Sequence, residues 1–374
     1  MTATPNTTVR YSVTNWQNSL ILQGATLENG AIAHFGYAND ELKATVNGNS
    51  LCDLNHLGLL EISGADAVAF LQGQVTNDVT LLAGQDNISH AHYSAYCNPK
   101  GRMLALFLAF AHHNNQLGHH LHLQFNRTLL EPIMKRLKLY VMRSKVEIKD
   151  VSEDIIKIGI NGPQAASILE TLFNKAPLFN KLPTQDYELV SLDNATILKL
   201  PSISNHTRFE IFTDAENAPL IWNALKTVCQ LVGKPCWDWL EIQCGIPDVE
   251  LKTQEQFVPQ MLNLDILGAI NFKKGCYTGQ EIVARMHYLG SVKRRTYLAE
   301  ISSETSPNAG DKVLDTTKNE AGGNEVGQIV RVAKNLENGF DALIEMRIDA
   351  QQTGKVFWND VAINMKALPY SFEA

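Results

Sequence analysis

The stretch Lys273-Lys274-Gly275-Cys276-Tyr277-Thr278-Gly279-Gln280-Glu281 crowds two lysines and two glycines around one thiol. Ammonium groups and a glycine-framed turn favour thiolate, whereas a thiol kept for packing sits in apolar sequence. Residues 257–272 before it carry Pro and Gly with few charges, which fits a packed loop delivering the turn. Ile282-Val283-Ala284-Arg285-Met286-His287 after it continues Gln280-Glu281 with good helix formers. Cys276 therefore reads as a thiol just ahead of a helix N-terminus, where exposed N–H groups also favour an anion. The competing reading is a small packed residue, since cysteine is among the most buried residue types.

Working outward, 374 residues with 45% hydrophobic content exceed the size at which one core usually splits, so two or three domains are expected. A net charge of −7 argues against a general nucleic-acid-binding surface and leaves any RNA contact local. The cysteines at 52, 97, 229, 236, 244 and 276 show no C-x-x-C pairing, so neither a zinc site nor a disulfide framework is suggested. The N-terminus lacks an apolar stretch after a basic start, and no run has the length of a membrane span. These features lead us to expect a soluble cytoplasmic monomer in a reducing compartment.

Strand and helix signals alternate from Leu57 onward. Gly58 to Ile62, Ile155 to Ile160 and Phe209 to Phe212 read as strands, each followed by a helix start. Ser63-Gly64-Ala65-Asp66 looks like a capping box, and Asn161-Gly162-Pro163 like a helix start with Pro near the first turn. Additional strands at 91–96, 103–110, 121–125 and 196–200 follow one another directly, which favours an α+β plan with antiparallel sheets over a doubly wound one. Past Arg294-Arg295 only short strands and turn clusters remain, as in a small β-barrel. The boundaries expected are an extension at 1–50, α+β domains at 51–292 and a barrel at 293–374. Whether the first 50 residues are ordered is not readable from their Asn, Thr and Gly content.

Three further segments carry chemistry or its imitation. Cys236-Trp237-Asp238-Trp239-Leu240-Glu241 reads as a helix up to Gly245, with Trp237, Leu240, Glu241 and Cys244 on one face and Trp239 elsewhere. Both tryptophans read equally as core. His112, His113, His119 and His120 flank a hairpin tip, but no nearby Cys or carboxylate in the sequence completes a metal set, so no metal is expected. The helix from Leu129 to Tyr140 is amphipathic and basic, which is ordinarily a solvated face.

The string Lys-Gly-Cys-Tyr-Thr-Gly-Gln-Glu resembles the signature of the YgfZ family. Gln72-Gly73-Gln74-Val75-Thr76-Asn77-Asp78-Val79, the Lys100-Gly101-Arg102 turn and the ending Leu368-Pro369-Tyr370-Ser371-Phe372 resemble other blocks of that family and of its relative, the glycine cleavage T-protein. The resemblance implies T-protein-like α+β domains around a central cleft plus the C-terminal β-barrel. It implies a tetrahydrofolate-binding accessory protein for iron-sulfur proteins, including tRNA methylthiotransferases. Trp237 matches a tryptophan at the family's folate pocket, and the second pocket tryptophan falls near Leu57, which can pack on a ligand but not stack. Both Trp237 and Cys276 are then expected to face the cleft, with Cys276 as the functional thiol, Lys274 beside it, and Gly275, Gln280, Glu281 and Arg285 as ligand-binding residues. An aminomethyltransferase is the alternative. That enzyme's catalytic carboxylate belongs on the strand reading Met103-Leu104-Ala105-Leu106-Phe107, where no acid stands, and alanine or leucine cannot act as a base. A structural protein with a vestigial cleft is the third reading.

Overall fold

The computed structural model describes residues 13–82, 88–114, 118–174, 181–315 and 323–372. Residues 1–12, 83–87, 115–117, 175–180, 316–322 and 373–374 lie outside them. The chain begins with α1 (Val13–Ile21), the hairpin β1 (Thr26–Glu28) and β2 (Ala31–His34), and α2 (Ala38–Asn47). There follow β3 (Ser50–Asp53), β4 (Leu57–Ser63), α3 (Ala67–Gln72), β5 (Ile88–Cys97), β6 (Met103–Asn114), β7 (Gly118–Asn126), α4 (Leu130–Val141) and β8 (Glu147–Asp150). The next run is β9 (Ile155–Gly162), α5 (Ala165–Phe173), β10 (Glu188–Ser191), β11 (Thr196–Leu200), β12 (Thr207–Asp214), α6 (Ala218–Leu225), β13 (Gln230–Val232) and α7 (Lys234–Gln243). After α8 (Gln280–Tyr288) come β14 (Arg294–Ile301), β15 (Lys312–Asp315), β16 (Asn324–Lys334), β17 (Phe340–Arg347), α9 (Ile348–Thr353), β18 (Val356–Trp358) and β19 (Val361–Lys366).

Eleven strands form one sheet in the order β13-β3-β9-β12-β11-β10-β5-β6-β7-β4-β8, antiparallel throughout except where β13 lies parallel to β3. Consecutive strands joined by short turns can pair only antiparallel, which is why the α+β reading and not a doubly wound sheet is found. The last six strands close a barrel, β14-β17-β16-β15-β18-β19.

Residues 13–50 pack as part of the sheet region. Trp16 donates its Nε1–H to Asp53 at 2.8 Å, Leu20 is fully buried, and buried Glu41 accepts from the Phe35 and Gly233 N–H groups at 2.6 and 3.0 Å. β3 escapes the sequence reading because Ser50-Leu51-Cys52-Asp53 is short and buried along its whole length, so it shows no alternation. The expected capping box does not form. Asp66 makes no cap bond to α3 and instead accepts the Lys145 N–H at 2.7 Å.

Trp239, which faces away from Trp237 on α7, reaches the barrel and donates to Asp341 at 2.9 Å, beside Gln243 at 2.8 Å. Arg331 of β16 returns the contact by pairing with Asp238 at 2.7 Å. Arg295 of β14 holds Asp265 through two N–H bonds at 2.5 and 2.9 Å, and Tyr370 donates to the Gly245 carbonyl at 2.9 Å. The barrel is thereby locked onto α7 and the loop ahead of Cys276.

Candidate functional site

α7 starts after Gly233 with Pro235 in its first turn, where the missing N–H is no loss. This delivers Trp237 against β9, where Gly159 is required: a Cβ there would lie 2.4 Å from the indole. The Arg208 guanidinium sits over the same ring, 5.2 Å from its centroid, and Trp237 is only 3% exposed. Arg208 in turn pairs with Glu241 at 2.7 Å, one helical turn after Trp237.

Trp237 and Leu57 line one cavity of about 60 Å³ with Tyr93, Leu106, Gln124 and Glu210 among its other walls. Asn126, Glu241, Asp248 and Arg331 also line it, and Glu210 with Gln124 gives it an unusual hydrogen-bonding edge. Glu210 is buried on β12, and burial pushes its carboxyl up to about 8, so it holds its proton at neutral pH. The Gln124 amide N–H donates to it, while the Gln124 Oε1 atom is buried with no hydrogen-bond partner among the described residues. An orphaned acceptor beside a protonated acid is costly inside a protein and fits a ligand edge that offers both an N–H and a carbonyl. From β6 only aliphatic Leu106 and Leu108 reach this cavity, and Ala105 is fully buried on the strand's other side.

The Cys276 turn is built differently. Lys274 turns inward, and its Nζ donates to the Gln72, Val75 and Asn77 carbonyls at 2.8, 2.7 and 2.7 Å, with the Tyr277 ring 5.2 Å away. Desolvation lowers this ammonium to about 8. Thr76 donates to the Ala269 carbonyl at 2.7 Å and Asn77 to that of Gly268 at 2.8 Å, fastening the same loop from the other direction. Gly279, in the left-handed region at φ 85°, caps α8 and lies against the strand-connecting turn: a Cβ there would meet the Asn98 carbonyl at 2.5 Å and Gly101 Cα at 2.9 Å. Residues 72–79, 97–102 and 273–281, distant in sequence, thus form one surface structure. Cys276 is exposed on it, and the other five cysteines are buried.

The expected site residues fall in two places. Trp237 and Leu57 come together, but Cys276, Gly275, Gln280, Glu281 and Arg285 do not line their cavity. The Lys274 clamp fixes the turn to the 72–77 loop. The Lys274 ammonium is directed at three backbone carbonyls, and Lys273 is the exposed lysine of the pair ahead of Cys276. Accessibility is what distinguishes Cys276, since burial pushes Cys97 and Cys236 up to about 12 and Cys229 to about 11.

Comparison with known proteins matches this architecture. The GCVT N-terminal domain family covers residues 8–274. The tRNA-modifying protein YgfZ of Escherichia coli O6:H1 is 32% identical over 338 residues, which is 87% of this chain and 94% of that protein. The chain belongs to the YgfZ family. The YgfZ protein of Escherichia coli strain K12 matches at the same identity and coverage. Among solved structures, glycine cleavage system aminomethyltransferase T from Bartonella henselae shares the fold with a TM-score of 0.75 at 17% identity, covering 95% of this chain and 97% of that one. The architecture is therefore T-protein-like α+β with a C-terminal barrel in a YgfZ-family chain.

Sequence reasoning missed Glu210, Gln124 and Arg208. Each is one of several polar residues that alternate with apolar ones along β7 or β12, and nothing local marks it as facing Trp237. No helix among the described residues is long and apolar enough to cross a membrane, and none of their His, Cys, Asp and Glu side chains gather in threes to hold a metal ion.

Proposed function

We propose that this YgfZ-family protein binds a reduced folate, tetrahydrofolate or a derivative, at the Trp237 cavity and serves iron-sulfur proteins, including tRNA methylthiotransferases, through the exposed Cys276 surface. The observation that carries the reading is the Gln124 Oε1 orphan beside protonated Glu210 against an indole. A pterin edge presents an N–H and a carbonyl side by side; Gln124 Oε1 accepts from the first and the Glu210 O–H donates to the second. Leu57, Leu106 and Leu108 supply the apolar contact, and the bound folate supplies a one-carbon carrier. The present 60 Å³ is well below the roughly 300–1,000 Å³ of sites for ligands of that size, so side chains on the cavity wall move aside when the ring enters.

An accessory role is favoured over aminomethyl transfer because β6, the strand on which the resemblance puts the enzyme's catalytic carboxylate, brings only Leu106 and Leu108 to the cavity; the carboxylates that line it, Glu210, Glu241 and Asp248, come from elsewhere in the chain. Cys276 and the cavity then act on different objects, the thiol on a protein partner and the cavity on the folate. Direct contact with tRNA is local at most, given the net charge of −7.

Titrating tetrahydrofolate against the tryptophan fluorescence of the wild type and of Gln124→Leu tests the site. Saturable quenching, weakened about tenfold or more by the loss of one buried hydrogen-bond acceptor, is expected. No saturable signal, or equal affinity in both proteins, removes folate from this cavity. Aminomethyl transfer to tetrahydrofolate by the purified protein is expected to be absent, and its detection would favour the enzyme reading.

A further inference from the structure

The strands that line the Trp237 cavity continue past it. On β6 the inward residues run from Leu106 and Leu108 to Phe110, on β7 from Gln124 back to His122 and His120, on β4 from Leu57 to Leu59 and Glu61, and on β12 from Glu210 to Phe212. The later members of each series enclose a second cavity of about 480 Å³ that shares no lining residue with the first. Its size is that of a small-molecule site, roughly 300–1,000 Å³. Its polar centre is a set that the sequence spacing had left without a carboxylate. Antiparallel pairing of β4 with β7 sets Glu61 opposite His122 and brings its Oε2 within 2.9 Å of His120 Nδ1 and 3.6 Å of His122 Nε2. The side chains of His112, His113 and His119 lie outside the described residues.

Both imidazoles address one oxygen of Glu61, and Oε1 has no partner among the described residues. The neighbouring His122 and His120 rings hold the carboxyl far on its ionised side. Beside it is an aromatic wall: the His122 ring stacks on Phe110 at 5.2 Å between centroids, and Phe110 meets Phe212 at 4.8 Å. Asp193 and Asp214 stand on the rim against one ammonium, that of Lys149, which already pairs with Glu147 at 3.2 Å. A positioned carboxylate next to ring faces attracts a cation twice, through charge and through the ring quadrupoles.

We infer that this second cavity is a binding site for a small planar organic cation bearing N–H donors, of the amidinium, guanidinium or protonated aminoheterocycle class, seated between Glu61 Oε1 and the Phe110–Phe212 wall. The site is separate from the folate reading and does not depend on it.

Benzamidine and benzoate, the same ring with opposite charge, serve as probes in ligand-observed NMR titrations of the full chain. Benzamidine is expected to bind the wild type with a Kd of order 1 mM or tighter, as suits a fragment, and benzoate at least tenfold more weakly. Glu61→Gln should weaken benzamidine at least tenfold and leave tetrahydrofolate quenching unchanged, while Gln124→Leu should do the reverse. Absence of benzamidine binding, preference for benzoate, or indifference to Glu61→Gln overturns the assignment. If Glu61→Gln does not fold, Phe110→Leu provides the second reading: a several-fold loss for benzamidine supports the site, and unchanged affinity removes it.

Discussion

The Trp237 cavity and the Cys276 turn both contain residues that sequence reading singles out, yet they are opposite kinds of construction. In the cavity, functional groups are buried and held by other side chains: Arg208 covers the indole, Glu241 holds Arg208, and Glu210 keeps a proton because water is excluded. At the turn, the candidate thiol is in solvent, and the buried neighbour, Lys274, clamps backbone carbonyls. A polar residue beside a candidate nucleophile in sequence is thus not its electrostatic partner until its head group has been located. The same lysine that suggests activation of a thiol instead closes a loop 197 to 202 residues away.

The sharpest way to break this comparison is to remove the indole. Trp237→Ala should cost about 3–5 kcal/mol in denaturant unfolding, because a large buried ring leaves a cavity and uncovers Arg208. A variant of wild-type stability would make Trp237 a removable platform and not part of the interior. Next, Lys274→Met should cost about 2–4 kcal/mol, since three carbonyls lose charge-assisted bonds, whereas Lys273→Met should be close to neutral. Equal effects of the two would mean that the clamp is not what orders the turn.

Glu210 gives a pH signature within the cavity. The folded protein retains this proton up to about 8, while the unfolded carboxyl releases it near its usual 4.5. The stability it contributes is present below the lower value and falls as pH rises between the two, by up to about 1.4 kcal/mol per pH unit, with no further change above the upper one. Glu210→Gln should therefore gain stability over the wild type through that window. A pH-independent difference in paired denaturation curves would mean that Glu210 is already ionised in the fold.

The smallest stability effect is expected at the thiol. Cys276→Ser should shift stability by no more than about 0.5 kcal/mol, as exposed substitutions do, and should leave folate quenching intact. In cells the same variant should lose support of iron-sulfur enzyme activity and of tRNA methylthiolation; full complementation would remove Cys276 from function. Peptide mapping after brief alkylation of the native protein should find the label at Cys276 ahead of the five buried cysteines, and labelling at a buried cysteine first would contradict the exposure pattern.

Much of the plan was legible in the chain because local pattern decided it. Alternation marked strands such as β9 and β12, direct strand succession implied antiparallel pairing, and turn clusters past Arg295 marked a barrel of short strands. The helix carrying Trp237 and Glu241 on one face was readable from its 3.6-residue period. Tertiary structure alone decided which polar groups meet. Glu210 and Gln124 are polar members of alternating strands, indistinguishable in sequence from surface positions, and they become a pair only because the fold brings β7 and β12 together although four strands separate them in the sheet order. Glu61 reaches His120 and His122 by strand register, across about 60 residues of chain. Lys274 points inward because three carbonyls of a distant loop outcompete solvent for its ammonium. Spacing along a chain fixes which face a side chain occupies, but the partners it finds there depend on long-range packing, and in this protein burial keeps the Glu210 proton and distant carbonyls direct Lys274.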